Sequence, residues 1–218
     1  MTDPTRAADE AARAAANAFQ SQELTADETT LKLLFTVART HYGWQDRDVS
    51  EDTLRSLYEI AKMGPTSMNQ QPMRVVFIRS NDAKDRLEPA LFEANRPKMR
   101  SAPVTAIVAY DLNFWEELPK LFPPNPGAQD IFKNNATAAQ VNAFRNGTLQ
   151  GAYFMLAARA VGLDIGAMSG FDNAKVDDEF FHGTSVKSNF LVNLGYADTS
   201  KIFRRLPRMD YDEVCETI

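Results

Sequence analysis

Cysteine and histidine are scarce in this sequence of 218 residues, which has one cysteine and two histidines. The lone Cys215 has no second cysteine for an internal disulfide, which agrees with a reducing compartment. No basic cluster adjoins Cys215 to favour its thiolate, so it is a poor candidate nucleophile. We identify no Cys, His or carboxylate at ligand spacing from His182, and we therefore expect no metal site.

Long apolar runs and an excess of positive charge are also missing. No run approaches the ~20 apolar residues that cross a bilayer, and no secretory signal pattern opens the sequence, so we expect a cytoplasmic protein without a membrane partner. The 24 Lys and Arg residues are outnumbered by 29 Asp and Glu residues, which disfavours nucleic acid as a partner. No Gly-x-Gly-x-x-Gly motif follows a strand, which argues against a Rossmann-type nicotinamide site.

The pattern of apolar residues indicates one α+β domain. With 44% hydrophobic residues the chain can bury a sizeable core. We expect an alanine-rich N-terminal extension over residues 1–25, helical or disordered, and a single domain over residues 26–218. Periodicity predicts helices at Ala26–Ala38, Ser50–Met63, Asp82–Leu91, Thr137–Val161 and Ala174–Phe181, and strands at Met73–Ile78, Val104–Tyr110 and Val186–Tyr196, with a further short strand before Met168.

The helix predicted at Thr137–Val161 is apolar on several sides. Leu149, Ala152, Tyr153 and Leu156 recur at helical spacing, and Phe154 and Met155 extend the apolar surface around the helix. A helix of this kind is normally buried, either in the core of a monomer or against a second chain.

A polar loop, Gly64–Pro72, separates a predicted helix from a predicted strand, and we call it the ligand loop. Gly64 can adopt the positive φ that ends a helix, and two prolines stiffen the two ends of the loop. Its amide and hydroxyl side chains can hydrogen-bond a flat ligand with polar edges. The alternative is an ordinary polar surface turn. The side chains concerned are Thr66, Ser67, Asn69, Gln70 and Gln71.

A second unusual segment, Leu118–Gly127, contains four prolines and few polar residues. We call it the proline-rich segment and predict a semi-rigid lid near a pocket. Phe114, Trp115 and Phe122 are candidates to line that pocket, although aromatic residues in such places are more often core residues.

Basic side chains occur at two distant places in this acidic chain. Arg39 follows an apolar helical run and His41 lies two residues later, while Lys201–Arg208 contains four basic residues. Together such groups suit a phosphate, because each charge-assisted hydrogen bond contributes about 1.5–3 kcal/mol. The alternatives are a cation at a helix C-terminus for Arg39 and a solvated surface tail for Lys201 and Arg204.

Two further segments complete the set of candidate residues. Asn95 and Lys98 lie one turn apart if the segment is helical, so both side chains can reach one ligand, and Pro97 between them suits a first turn. Ser169 and Gly170 precede Asp172, which is placed to cap the next helix. Their main-chain amides, and not the carboxylate of Asp172, are therefore the candidate ligand contacts.

Taken in this order, these segments resemble the FMN-dependent nitroreductase family from about Leu31 to the C-terminus. The resemblance implies a mixed, mainly antiparallel sheet flanked by helices, a long central helix at a homodimer interface, FMN as cofactor, and NADPH or NADH as co-substrate. Flavin N5 carries the hydride in that family, so no protein residue is predicted to be catalytic. The implied FMN-binding residues are Arg39, Thr40, His41, Pro65, Thr66, Ser67, Asn69, Gln71, Asn95, Lys98, Ser169, Gly170 and Arg205.

Within that family, four segments look most similar to the malonic semialdehyde reductase branch associated with uracil breakdown, a pyrimidine degradation route: Thr40–Trp44, Leu121–Pro123, Phe144–Gly151 and Ser169–Asn173. This implies reduction of a short aldehyde acid to 3-hydroxypropionate. Family members often carry a basic residue two positions before Arg205, where this chain has Phe203. The alternatives are a general nitro or quinone reductase, an enzyme of the same fold that consumes or deiodinates its substrate, and a non-catalytic FMN-binding protein.

Overall fold

The computed structural model describes residues 4–22 and 24–218. The chain divides into two compact units, the first ending at Ala38 and the second spanning Arg39–Ile218. The first unit contains helix α1 (Pro4–Gln20) and the short helix α2 (Glu28–Leu31), which continues as a π-helical turn over Lys32–Thr36. The predicted extension is therefore helical over α1, while residues 1–3 and 23 lie outside the described residues. The division at residue 25 stays a prediction.

The second unit contains the remaining elements. Its helices are α3 (Glu51–Ala61), α4 (Asn81–Leu87), α5 (Arg96–Ser101), α6 (Leu118–Leu121), α7 (Gln129–Lys133), α8 (Ala136–Ala160), α9 (Asn173–Phe181) and α10 (Tyr211–Val214), and its strands are β1 (Met73–Ile78), β2 (Val104–Asp111), β3 (Asp164–Met168) and β4 (Val186–Gly195). Short 3₁₀ turns include Ser67–Asn69 in the ligand loop and Glu93–Asn95 before α5. Within the described ranges, no helix combines the length and hydropathy of a membrane-spanning helix.

The four strands form one sheet in the order β1-β2-β4-β3, and each neighbouring pair is antiparallel. Thr40 adds a single parallel bridge to Ile165 in β3. The mixed, mainly antiparallel sheet predicted from the sequence is therefore confirmed.

Strand β2 lies inside the sheet and is covered on both faces. Alternate side chains of a strand point to opposite faces, and here they enter two separate apolar clusters. Ala106 and Val108 pack with residues of α3 and α8, whereas Ile107 and Ala109 pack with residues of α4 and α9. This double burial explains why β2 is apolar at nearly every position.

The segment between β2 and α8 forms a third apolar cluster. Phe114, Leu118 and Phe132 are buried there against Ala139 and Ala143 of α8. Phe114 is therefore a core residue. The proline-rich segment thus rests on its own small core.

Helix α8 exposes its predicted apolar stripe and buries a different face. Leu149 and Tyr153, which belong to the predicted apolar stripe, are 48% and 42% exposed in the single chain. The buried face instead carries Asn146 and Gln150 beside small residues and Phe154. Of the two alternatives for this helix, burial of the stripe in the core of a single chain is wrong, and burial against a second chain stays a prediction.

Candidate functional site

The backbone of the ligand loop is strained. Met68, Asn69 and Gln71 have φ angles of 50°, 49° and 42°, and they are the only non-glycine residues with positive φ in the described part of the chain. Such residues cost about 1–3 kcal/mol each and persist where surrounding contacts hold them. Gly64 does not have the positive φ that we expected. A Cβ at Gly64 would lie 2.5 Å from Cγ of Tyr153, so this glycine makes room for an aromatic ring.

Helix α8 holds the ligand loop through side-chain amides. The Ser67 N–H donates to Asn146 Oδ1 at 2.9 Å, and Asn146 Nδ2 donates to Gln70 Oε1 at 2.9 Å. One turn further along the helix, Gln150 Oε1 accepts the Met73 N–H at 2.9 Å. Gln70 itself is fully buried. The loop is thus fixed to Asn146 through Ser67 and Gln70, and Gln150 holds the first residue of the strand that follows.

The outer side of the ligand loop faces the proline-rich segment. Asn69 Nδ2 donates to the Leu121 carbonyl at 2.8 Å, and Asn69 Oδ1 accepts from Gln71 Nε2 at 2.8 Å. Thr66 Oγ1 accepts the Gln71 N–H at 3.2 Å. A cavity of about 220 Å³ lies beside these groups, and its walls include Gln71, Leu121 and Gln150. Leu121 of the proline-rich segment therefore borders a pocket, whereas Phe114, Trp115 and Phe122 pack in the third apolar cluster instead. That the segment acts as a lid stays a prediction.

The basic segment, Arg39–Trp44, runs along the edge strand β3. The His41 N–H donates to the Ile165 carbonyl at 2.9 Å, beside the Thr40 bridge. The His41 side chain is 8% exposed, and its Nε2 lies 3.3 Å from Asp164 Oδ1. The Asp164 carboxylate therefore faces one ring nitrogen of His41, a residue predicted to contact the phosphate.

A chain of contacts connects the basic segment to Phe203 in the C-terminal tail and to Lys98 in α5. Arg39 Nη2 donates to the Phe203 carbonyl, and the Phe203 ring meets the Tyr42 ring edge-on at a centroid distance of 5.3 Å. Lys98 Nζ lies 4.9 Å from the centroid of the Tyr42 ring. Phe203, the position at which the chain departs from the family pattern, is thus held by two residues of the basic segment.

Asn95 links Lys98 to the segment after β3. Lys98 Nζ donates to Asn95 Oδ1 at 3.0 Å, and Asn95 Nδ2 donates to the Gly170 carbonyl at 3.0 Å. Asn95 and Lys98 therefore meet one turn apart as predicted, with Pro97 in the first turn of α5. A Cβ at Gly170 would lie 2.5 Å from Asn95 Nδ2, so the close approach requires glycine. Asp172 caps α9 by accepting the Lys175 N–H, which confirms its structural role.

Two charged residues that the sequence did not indicate join the basic groups. Arg159, in the last turn of α8, has a lowered pKa, chiefly because of burial, and the nearby positive charge of Arg205 acts in the same direction. Asp164 opposes that shift. The pKa of Asp164 is itself lowered, mainly by its hydrogen bond from His41 and also by the Ala197 N–H and by Arg159. His41, Asp164, Arg159 and Arg205 therefore form one electrostatic cluster.

The lowered pKa of Asp164 predicts a pH-dependent stability. The ordinary pKa of an aspartate is about 3.9, so the contribution of Asp164 is fully present above that pH and is lost as the pH falls through the lower, folded-state pKa. We expect Asp164→Asn to be less stable than wild type at pH 7 and to approach it between about pH 5 and pH 1, as measured by urea unfolding.

The matched control for this prediction is Asp178→Asn, because Asp178 also pairs with a histidine, His182, but both side chains are at least 80% exposed. We expect that variant to unfold like wild type. A stability difference for Asp164→Asn that is equal at every pH would exclude the charge of the carboxylate as its cause.

The structure thus arranges the predicted site residues in two groups. One group is connected around Tyr42 and Asp164 and contains Arg39, Thr40, His41, Asn95, Lys98, Gly170 and Arg205. The other group is the ligand loop with Thr66, Ser67, Asn69 and Gln71, which is fixed to α8 and to the proline-rich segment. Pro65 and Ser169 are exposed beside these groups.

No group of three or more His, Cys, Asp or Glu side chains suited to a metal ion occurs in residues 4–22 and 24–218. Our statement that His182 lacks a nearby carboxylate is wrong. Asp178, one helical turn earlier, places Oδ1 3.0 Å from His182 Nδ1.

Several residues of the site were missed in the sequence. Asn146 and Gln150 lie four residues apart in a helix that otherwise reads as apolar, and this polar spacing is the signal that identifies them. Tyr42 lies inside the basic segment itself. Asp164 and Arg159 carry no local signal, because only the fold brings them to His41.

Comparisons with known proteins agree with this architecture. The model of the nitroreductase family matches residues 37–196, which is well over half of the chain. A candidate nitroreductase from Exiguobacterium sibiricum, solved in complex with FMN, is 19% identical with a TM-score of 0.78, over 89% of this chain and 99% of that chain. A candidate NAD(P)H:FMN oxidoreductase from Staphylococcus epidermidis is 17% identical with a TM-score of 0.77, over 89% and 98%.

A nitroreductase family protein from Streptococcus pneumoniae is 23% identical with a TM-score of 0.68, over 83% of this chain and 96% of that chain. At such identities these likenesses establish the fold. The family match establishes more: this chain belongs to the nitroreductase family. The resemblance found in the sequence is therefore confirmed at the level of the family, and with it the expectation of an FMN-dependent oxidoreductase.

Proposed function

We propose that this protein is an FMN-dependent reductase that takes hydride from NADPH or NADH and reduces a short aldehyde acid such as malonic semialdehyde to 3-hydroxypropionate. The observation that carries the proposal is the set of connected groups from Arg39 to Gly170, which joins cations suited to a phosphate with the Asn95 amide and the Lys98 ammonium, groups suited to the polar edge of a flat ring. The choice of aldehyde rests on the resemblance of four motifs to one branch of the family.

The residues present fit FMN. His41, Arg159 and Arg205 lie in the electrostatic cluster of Asp164, and Arg39 lies two residues before His41; together these four basic side chains suit a terminal phosphate. At the other end of the group, the missing Cβ of Gly170 lets Asn95 approach closely, and the Asn95 amide holds the Lys98 ammonium beside it. When bound, FMN supplies hydride transfer at its N5 position.

The protein groups act by binding, orientation and charge. Lys98 and Asn95 suit the pyrimidine edge of a flavin, where a cation stabilises the negative charge that a reduced flavin carries. The ligand loop offers Ser67, Asn69 and Gln71 to the polar edges of the ring. We assign no nucleophile and no general base to the protein.

We propose in addition that the enzyme is a homodimer with its site at the interface. Helix α8 exposes Val141, Phe144, Leu149 and Tyr153, all between 42% and 51%, and a second copy would cover such an apolar face. The C-terminal segment also exposes Phe203, Leu206 and Met209. In this arrangement the basic group of one protomer faces the ligand loop of the other. The reducing compartment that a lone cysteine suggests places this dimer in the cytoplasm.

The visible spectrum of the purified protein, followed by mass analysis of the flavin released by heat, tests the cofactor. We expect FMN and not FAD, because the basic cluster suits a terminal phosphate. Steady-state oxidation of NADPH and of NADH with malonic semialdehyde then tests the reaction. Recovery of FAD, or of no flavin after reconstitution, would contradict the proposal.

The acceptor assay also separates the alternatives. A protein that binds FMN but oxidises neither nucleotide with any acceptor is an FMN-binding protein without catalysis. Turnover with nitro compounds and quinones alone indicates a general reductase, since many exposed flavins reduce such acceptors. Preferential turnover of the aldehyde acid supports the proposed substrate.

A further inference from the structure

Helix α8 carries a ladder of amides, Asn142, Asn146 and Gln150, at four-residue spacing on its inner face. Asn146 is 2% exposed and Gln150 is 3% exposed, so both are buried in a helix whose outer face is apolar. Buried amides are costly unless they are hydrogen-bonded. Their partners therefore indicate what the ladder is for.

The partners of Asn146 lie in the ligand loop. Its Oδ1 accepts the backbone N–H of Ser67, and its Nδ2 donates both to Gln70 Oε1 and to the Asn142 carbonyl, each at 2.9 Å. Asn146 thus uses its acceptor and both of its donors. A side chain that can only donate or only accept hydrogen bonds cannot make these three bonds.

These bonds hold the loop at its strained positions. Gln70, which is fully buried, lies between Asn69 and Gln71, and both neighbours have positive φ. With Gln70 anchored inward on α8, the side chain of Ser67 is exposed on the outer surface of the loop and that of Gln71 is partly so. The conformation that presents the predicted ligand groups is therefore the one that Asn146 and Gln70 fix.

We propose that Asn146 is a positioning residue that pre-organises the ligand loop for FMN. It does not need to touch the cofactor. Asn146 holds the loop in its binding conformation before FMN arrives, so that binding does not have to order the loop. This inference rests on the proposed function, because it takes FMN as the ligand of the loop.

The first test compares FMN dissociation constants by fluorescence titration of the apo-protein. We expect Asn146→Ala to weaken FMN binding about tenfold or more, because a disordered loop must be fixed during binding. The control is Gln140→Ala on the same helix, whose side chain lies at a separate cavity with Phe144 and Lys187. We expect that control to bind FMN like wild type.

The second test uses Asn146→Asp, which has nearly the same shape. A neutral carboxyl group accepts from the Ser67 N–H and donates to Gln70 Oε1, whereas a carboxylate cannot donate. Burial raises the pKa of such a carboxyl group. We therefore expect the FMN affinity of Asn146→Asp, relative to wild type at the same pH, to recover as the pH is lowered from about 8 to about 5. A role in folding alone does not predict this pH profile.

A third measurement needs no variant. Hydrogen exchange of the wild-type apo-protein should show protected amides at Ser67 and Met73, the two loop-end donors to α8. Unprotected Ser67 in folded apo-protein would overturn the inference, as would a folded Asn146→Ala or Asn146→Asp with the wild-type FMN affinity at every pH. Failure of the wild-type protein to bind FMN would instead contradict the proposed function.

Discussion

A heterodimer built from two nearly inactive protomers is expected to recover about half of the FMN binding and reductase activity of the wild-type dimer. One protomer carries Arg39→Ala and Arg205→Ala, and the other carries Ser67→Ala and Asn69→Ala. If each site takes its basic group from one chain and its ligand loop from the other, one site of the heterodimer collects all four substitutions. The second site collects none and is intact.

The measurement uses protomers with two different affinity tags, so that the heterodimer is purified away from both parents. The parent with Arg39→Ala and Arg205→Ala loses two charge-assisted contacts of about 1.5–3 kcal/mol apiece, so its FMN affinity should fall by more than about a hundredfold. The parent with Ser67→Ala and Asn69→Ala loses two neutral hydrogen bonds of about 0.5–1.5 kcal/mol apiece, so its affinity should fall by about fivefold to more than a hundredfold. Size-exclusion chromatography and thermal unfolding establish that the parents are folded dimers. A purified heterodimer that shows no recovery would mean that all of these groups serve a site within one chain.

Arg205→Ala alone is expected to weaken FMN binding by about ten- to a hundredfold, since it removes one charge-assisted contact to the phosphate. Arg205 is the basic position that aligns with the family pattern, and its charge reaches Arg159 in the cluster around Asp164. The dissociation constant from a flavin titration at fixed ionic strength is the quantity to compare.

The neighbouring Arg204 offers a matched control, because it is the same residue type, is also exposed and lies one position away. Arg204→Ala removes the same charge from the chain, so a general effect of net charge would appear in both variants. We expect it to bind FMN within about threefold of wild type. Equal losses of FMN affinity in the two variants would indicate a general electrostatic attraction and would contradict a specific contact of Arg205 with the phosphate.

The sheet was predictable because its signals are local. Strand β1 has the predicted bounds, Met73–Ile78, and β2 and β4 end within one residue of theirs. Both strands lie in the middle of the sheet, and the apolar side chains of β2 are covered on both faces. The Asp172 cap and the contact between Asn95 and Lys98 were predictable for the same reason, since each depends on residues three positions apart.

Features that depend on distant residues were not predictable. Asn146 and Ser67 are separated by 79 positions, so no window of sequence contains both partners. The apolar stripe on α8 was visible, but which side of that helix meets the sheet depends on those distant amides. A positive φ was expected at Gly64, because glycine adopts it without steric cost. In the ligand loop it occurs instead at three non-glycine residues, which are held by contacts with distant parts of the chain.

The separate core under the segment from Phe114 to Phe132 has an evolutionary consequence. Phe114, Leu118 and Phe132 anchor this segment on Ala139 and Ala143, while most of its remaining residues are exposed or partly so. Exposed loop positions accept replacements, insertions and deletions far more readily than core positions. Substitutions in this segment can therefore change one wall of the pocket beside the ligand loop, while the proposed FMN-binding residues, which lie on other segments, stay unchanged.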